Sequence, residues 1–165
     1  MTDTGSFNYS STTPRTLEIA SKIIATGIDF SEICKRINET MKEGKLKLIA
    51  KTIEKMEVYF DGQVRYSYID YDTIVKLGLD DEDSEGMTNY LRMPEGTEVA
   101  VYVREKSDGT NKVSLRSAGK IKVSDIAIEL GGGGHPRAAG YTMKEKLEVA
   151  KKKLLSMLEV MLNDR

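Results

Sequence analysis

Four consecutive glycines, Gly131 to Gly134, restrict what this chain can become more than any other feature in it. Residues without side chains lose the most backbone entropy on ordering. A fold accepts that loss where a backbone must pass close to something, or take angles that side chains forbid. The run continues as His135-Pro-Arg137-Ala-Ala-Gly140, and its small residues imply close packing behind the loop. The bare amides of Gly132, Gly133 and Gly134, next to the imidazole of His135 and the guanidinium of Arg137, form a pattern suited to a phosphate. The competing reading is a flexible turn carrying an incidental histidine.

The hydrophobic period divides the rest. From Thr13 the chain reads as helix: Thr13 caps, Pro14 suits the first helical position, and Leu17, Ala20, Ile23 and Ile24 recur at helical spacing up to Gly27. A second helix is expected from Ser31 to Met41 and a third around Leu46–Ile53. Near Met56 the period falls to two. Two β-rich runs flank Asp61-Gly62, a hairpin signal because such a turn needs positive φ. Helices follow at Tyr71–Leu77 and Ser84–Leu91, then strands at Thr97–Arg104 and Lys112–Ser117. Val123–Leu130 reads as helix, the glycines as loop, and Tyr141–Met143 as a short strand. Lys144–Leu162 closes the chain as an amphipathic helix, with Leu147, Ala150, Leu154, Met157, Leu158 and Met161 buried and Lys151-Lys-Lys153 on its solvated face. The expectation is an α+β chain: a helical connector over 1–54, then a mixed β-sheet flanked by helices over 55–165.

Composition narrows the function classes. A net charge of −1 argues against salt-driven binding of long duplexes, while leaving room for a small anion held by a few placed cations. No stretch approaches the roughly 18 apolar residues of a membrane span, and the start lacks the regions of a signal peptide. The one cysteine, Cys34, cannot form an internal disulfide and reads as a semi-buried thiol. A cytoplasmic protein is the expectation. Three further segments are candidates. On the strand Val113-Ser-Leu-Arg116-Ser117, alternation puts Ser114 and Arg116 on one face, where the arginine would clamp a phosphate or simply meet solvent. Asn89 in Glu85-Gly-Met-Thr-Asn89 either hydrogen-bonds a base or ribose or pins its loop. Arg104 is a weaker candidate cation, and Tyr66, Tyr68 and Tyr102 read as strand packing.

Gly131-Gly-Gly-Gly-His-Pro-Arg-Ala-Ala-Gly140 resembles the GGGHxxAAG signature of the DHHA1 domain, which follows DHH phosphoesterase domains and occurs in alanyl-tRNA synthetase. The resemblance implies that His135 and the loop amides contact a substrate phosphate or terminal nucleotide. Val113–Ser117 is similar to the V-S-x-R-S segment of the nano-RNase/pAp phosphatase branch, and Glu85–Asn89 to its E-G-x-x-N. The segment Asp3-Thr-Gly-Ser-Phe7, by itself a turn or cap, resembles the last DHH motif of that branch. Asp3 would then be one ligand of a Mn²⁺ cage. The companion D-x-D and D-H-H motifs lie upstream in the family, and with His135 as the only histidine this chain holds no D-H-H. Asn8 and Ser11 stand where many relatives carry Arg and Asn, which puts fine substrate preference in doubt.

The resemblance covers nearly the whole chain but only the C-terminal half of the family's protein. Met1 then reads as an internal codon taken for a start, a truncated gene or a deliberately expressed piece. It implies the substrate-binding half of a Mn-dependent phosphoesterase acting on short RNA, adenosine 3′,5′-bisphosphate (pAp) or a linear dinucleotide. The missing DHH lobe and a second copy of the chain would be its partners. The isolated chain would bind without hydrolysing. The alternative is a free-standing nucleotide-binding module or the partner of a separate DHH chain.

Overall fold

The computed structural model describes residues 4–8, 11–38 and 40–163. Contacts divide the chain after Met41 into two units. In the first, α1 (Pro14–Ile24) starts as its sequence dictates. The Thr13 hydroxyl accepts a hydrogen bond from the Thr16 amide at 3.2 Å, the Thr16 hydroxyl accepts one from the Thr13 amide, and Pro14 needs no partner at the first turn. The helix α2 (Phe30–Asn38) opens on Asp29, which accepts the Glu32 amide at 2.9 Å. It ends before the expected Met41, where the Thr40 hydroxyl donates to the Lys35 carbonyl at 3.3 Å.

The second unit begins with α3 (Glu43–Glu54) and a hairpin of β1 (Glu57–Tyr59) and β2 (Val64–Ile69). Asp61 and Gly62 both take positive φ at its turn, as expected, and the Gln63 amide closes it on the Phe60 carbonyl at 3.0 Å. The chain then forms α4 (Tyr71–Lys76), α5 (Met87–Arg92), β3 (Val99–Glu105) and β4 (Asn111–Ser117). After these come α6 (Val123–Glu129), β5 (Gly133–His135), β6 (Ala138–Met143) and α7 (Leu147–Asn163). The strands make one mixed sheet in the order β1-β2-β3-β4-β6-β5, with β2 and β3 parallel and the other neighbours antiparallel.

Both faces of the sheet are covered, which explains why β3 is apolar almost throughout. Val99, Val101 and Val103 enter the core shared with α6 and α7. Ala100 and Tyr102 point the other way, into the core made with Leu48 of α3, Ile74 of α4 and Met87 and Leu91 of α5. The helix α3, grouped with the connector by its period, thus packs with the sheet unit. The closing helix buries Ala150, Leu154 and Leu158 on the expected stripe. Lys151 departs from the solvated-face reading. Its ammonium bonds both carboxylate oxygens of Glu57 at 2.7 Å and lies 4.8 Å from the Tyr66 ring centre. Tyr66 and Tyr102 are buried, consistent with strand packing. Among the described residues no helix is long and apolar enough to cross a membrane.

The helix α5 starts three residues later than its sequence suggests. Gly86 takes φ 86°, so the chain before it is not helical. It is a turn in which the Asp80 carboxylate accepts the amides of Glu82 and Asp83, both at 3.0 Å. Asp70 caps α4 by accepting the Thr73 amide at 2.8 Å. Burial pushes its pKa up, but the Thr73 and Lys55 hydrogen bonds outweigh this and hold it at about 2. A depressed carboxylate adds stability above its unfolded pKa and loses it as pH falls through the folded value. Asp70→Ala is therefore expected to cost about 1 kcal/mol at pH 7 in urea melts. The gap between variant and wild type should shrink from pH 4 downward and close only below about pH 2.

Candidate functional site

The antiparallel pairing of β3, β4, β6 and β5 arranges the site in rows. Arg116 lies opposite Ala100 on one side and Ala138 on the other, and Ala138 lies opposite His135. Ser114 is in the row Tyr102–Ser114–Gly140–Gly133. Arg104 pairs with Lys112 one row further on. Cross-strand partners share a face, so Lys112, Ser114 and Arg116 all face the α5 side while Val113 and Leu115 enter the opposite core. Between that face and the turn before α5 lies a cleft of about 250 Å³, with Glu85, Thr88, Tyr102, Arg104, Lys112 and Arg116 in its walls and Ala139 and Gly140 at its edge.

The three cations differ in their company. Arg104 is 3% exposed and donates to the Asp81 carboxylate. Lys112 pairs with Glu85 at 3.1 Å. Arg116, half-buried, bonds its neighbour's carbonyl, Leu115, at 3.1 Å and pairs with no carboxylate among the described residues. Burial pushes the Tyr102 phenol well above its ordinary range, so it stays a neutral hydroxyl.

The glycine run has a structural task. The amide of Gly131 donates to Ile128 O at 3.0 Å and that of Gly132 to Ala127 O at 2.7 Å, which caps α6, with Gly131 at φ 81°. A side chain on Gly132 would sit 2.5 Å from Tyr141 Cβ and closer still to the Gly140 carbonyl. One on Gly134 would meet the Ala138 carbonyl and Ala139 Cα at 2.5 Å. These two glycines let β5 press against β6. Gly133 alone of the four has an ordinary φ and nothing within 4 Å of where its Cβ would be. The loop expected from the sequence is thus a helix cap followed by an edge strand.

Other expected site residues are distributed as follows. His135 is exposed on β5, in Arg116's row and two strands across, and does not line the cleft. Ser117 faces the opposite side from Arg116. It is buried, donates to Glu98 at 3.1 Å and accepts the Gly119 amide at 2.9 Å. Asn89 is exposed on α5 outside the cleft wall, to which its segment contributes Glu85 and Thr88 instead. The sequence reading missed Lys112, and Tyr102, read as strand packing, packs in the core and also borders the cleft. Their signal was the alternation that also exposed Arg116: every second residue of β4, and the partner of Ser114 on β3. Asp3 lies outside the described residues. Among the described residues no three His, Cys, Asp or Glu side chains gather as a metal site requires, so they do not by themselves fit a Mn²⁺ cage. Gly132→Ala should cost about 1–3 kcal/mol by thermal melting, because backbone must move, whereas Gly133→Ala should leave the melting temperature unchanged.

Residues 61–162 match the DHHA1 domain. A bifunctional oligoribonuclease and PAP phosphatase NrnA of Thermus thermophilus is 32% identical over 144 residues, covering 87% of this chain and 42% of that protein. The protein of the same name from Bacillus subtilis is 29% identical over 141 residues, covering 86% and 44%. A crystal structure of an exopolyphosphatase-related protein from Bacteroides fragilis superposes with a TM-score of 0.88 at 31% identity, over 96% of this chain and 47% of that one. The chain thus spans less than half the length of each of these proteins.

Proposed function

Because this chain belongs to the DHHA1 domain family, we propose that its cleft grips the substrate of a phosphoesterase acting on short oligoribonucleotides, pAp or a linear dinucleotide. One observation carries this reading: a half-buried guanidinium without a carboxylate partner faces a cleft whose other two cations are already neutralised. Arg104 and Lys112 are held by Asp81 and Glu85, so an entering phosphate meets Arg116 first. A guanidinium offers five donors in a rigid fork, and Arg116 spends only one here. The fork is therefore free to take two phosphate oxygens at once.

The surroundings suit a nucleotide. Ser114 offers a hydroxyl on the guanidinium's face, and Gly140 and Gly133 keep their row free of side chains, so a flat group can lie along β6 and β5. His135 in Arg116's row would meet the part of the ligand extending beyond the cleft. Relatives named as oligoribonucleases and PAP phosphatases support this substrate class. Bond cleavage itself is assigned to a DHH lobe with Mn²⁺, to which Asp3 would add one ligand. This chain's role is to fix the far end of the substrate, which favours short substrates because grip and cut lie a set distance apart.

Binding of a fluorescent diribonucleotide and of pAp to the chain, with Mn²⁺ present, tests the reading. Arg116→Ala and His135→Ala are each expected to weaken binding about tenfold or more, as loss of a charge-assisted contact does, with unchanged circular dichroism. Wild-type affinity in both variants would remove the site. Turnover by the chain alone would show that cleavage was assigned to the wrong part.

A further inference from the structure

An ion pair joins the two walls of the cleft. Glu85 stands on the α5 side and Lys112 on β4, and their side chains meet at 3.1 Å. Lys112, Ser114 and Arg116 alternate along β4 on that same face. Strand rise puts the Ser114 Cα about 7 Å from the Cα of each cation. A phosphate resting over Ser114 is therefore within reach of both long side chains. Lys112 brings it an uncompensated charge only by leaving Glu85.

That exchange needs no movement of the backbone. Ser84 and Met87, on either side of the Glu85-Gly86 pair, are buried, and the Ser84 hydroxyl donates to the Asp81 carbonyl at 2.7 Å. The Glu85 amide donates to the Glu82 carbonyl at 3.1 Å. The Glu85 side chain itself is 67% exposed, with Lys112 as its partner among the described residues. Rotation about its own bonds returns it to water. Arg104 differs, because its side chain is only 4% exposed and losing Asp81 would strand a buried charge. Of the two pairs, Lys112–Glu85 is the one that parts easily. Charge then decides which ligand parts it. Three cations, Arg104, Lys112 and Arg116, stand against two carboxylates, Asp81 and Glu85, which leaves the cleft one positive charge. A singly charged phosphodiester is matched by Arg116 alone. A terminal phosphomonoester carries close to two charges above its second pKa of about 6, and the second has no partner while Glu85 holds Lys112.

We propose that Glu85 is an exchangeable counter-ion that sets the charge preference of the cleft. A doubly charged phosphomonoester displaces it and takes Lys112 together with Arg116, whereas a singly charged phosphodiester leaves the pair in place. The inference rests on the proposed function and deepens it, since it makes a terminal phosphate the group that the cleft selects.

The test is calorimetric titration of the full chain near pH 8, without added metal, with adenosine 5′-monophosphate and with its phosphate methyl ester, which differ by one charge. The variants are Glu85→Gln, the double variant Glu85→Gln with Lys112→Gln, and Arg116→Ala as the reference. The double variant keeps the net charge of the cleft, so a change in its binding does not come from the overall field. It is expected to bind the monophosphate about fivefold or more weakly and the methyl ester as wild type does. Glu85→Gln alone is expected to bind both ligands about threefold more tightly, because Lys112 is then free for either. Wild-type binding of both ligands by the double variant, equal losses for the two, or no gain in Glu85→Gln would each overturn the exchange. In that event, weaker binding of both ligands by Arg116→Ala still upholds the cleft reading. A wild-type chain that binds neither ligand removes both.

Discussion

The antiparallel register between β3 and β4 is the constraint from which the rest follows. It pairs Val101 with Leu115 and Tyr102 with Ser114, so one face of both strands is hydrocarbon for α6 and α7 and the other carries polar groups beneath α5. A slip of one residue would turn Arg116 into the core beside Leu154 and lift Leu115 into the cleft. Burying an unpaired guanidinium costs far more than the pairing returns. The apolar face thus fixes the position of the charged one.

Charge in the cleft is arranged by the same logic. Arg104 sits deep enough that an unpaired charge would be expensive, and Asp81 meets it. Lys112 and Glu85 pair nearer solvent, where such a contact is worth little for stability. Arg116 is left without a counter-ion at an intermediate depth, partly desolvated and still reachable. Such a group contributes little to folding and a good deal to an anion that arrives with its own charge. Asp81 and Glu85 both come from the segment ahead of α5, where Glu85 also stands in the cleft's opposite wall.

Much of the architecture was legible because local chemistry and tertiary packing agree. Thr13-Pro14, Asp61-Gly62 and the period-two runs of β3 and β4 specify their structure within a few residues. The edges moved at details too fine for periodicity: Gly86 takes φ 86° ahead of α5, and α2 ends before Thr40, whose hydroxyl bonds the Lys35 carbonyl. Lys151 looked solvated on a helical wheel and is held over Tyr66 by Glu57, a residue nearly the length of the domain away in sequence. The strand β5 was unreadable because glycines carry no β preference of their own and take extended form only through β6.

By itself the sequence determined which residue types were available for anion binding and, through alternation, that Ser114 and Arg116 share a face; both are properties of a few consecutive residues. It also carried the glycine signature, but not its task, since only the close approach of β5 to β6 and the capped end of α6 show why Gly132 and Gly134 cannot bear side chains. Tertiary structure alone decided that Ser117 supports Glu98 rather than the cleft, that Lys112 joins Arg116 in the cleft wall, and that Asp81 neutralises Arg104. Each of those depends on which strand lies beside which. Pairing between strands distant in sequence is set by the sum of core packing, which no short window of residues contains.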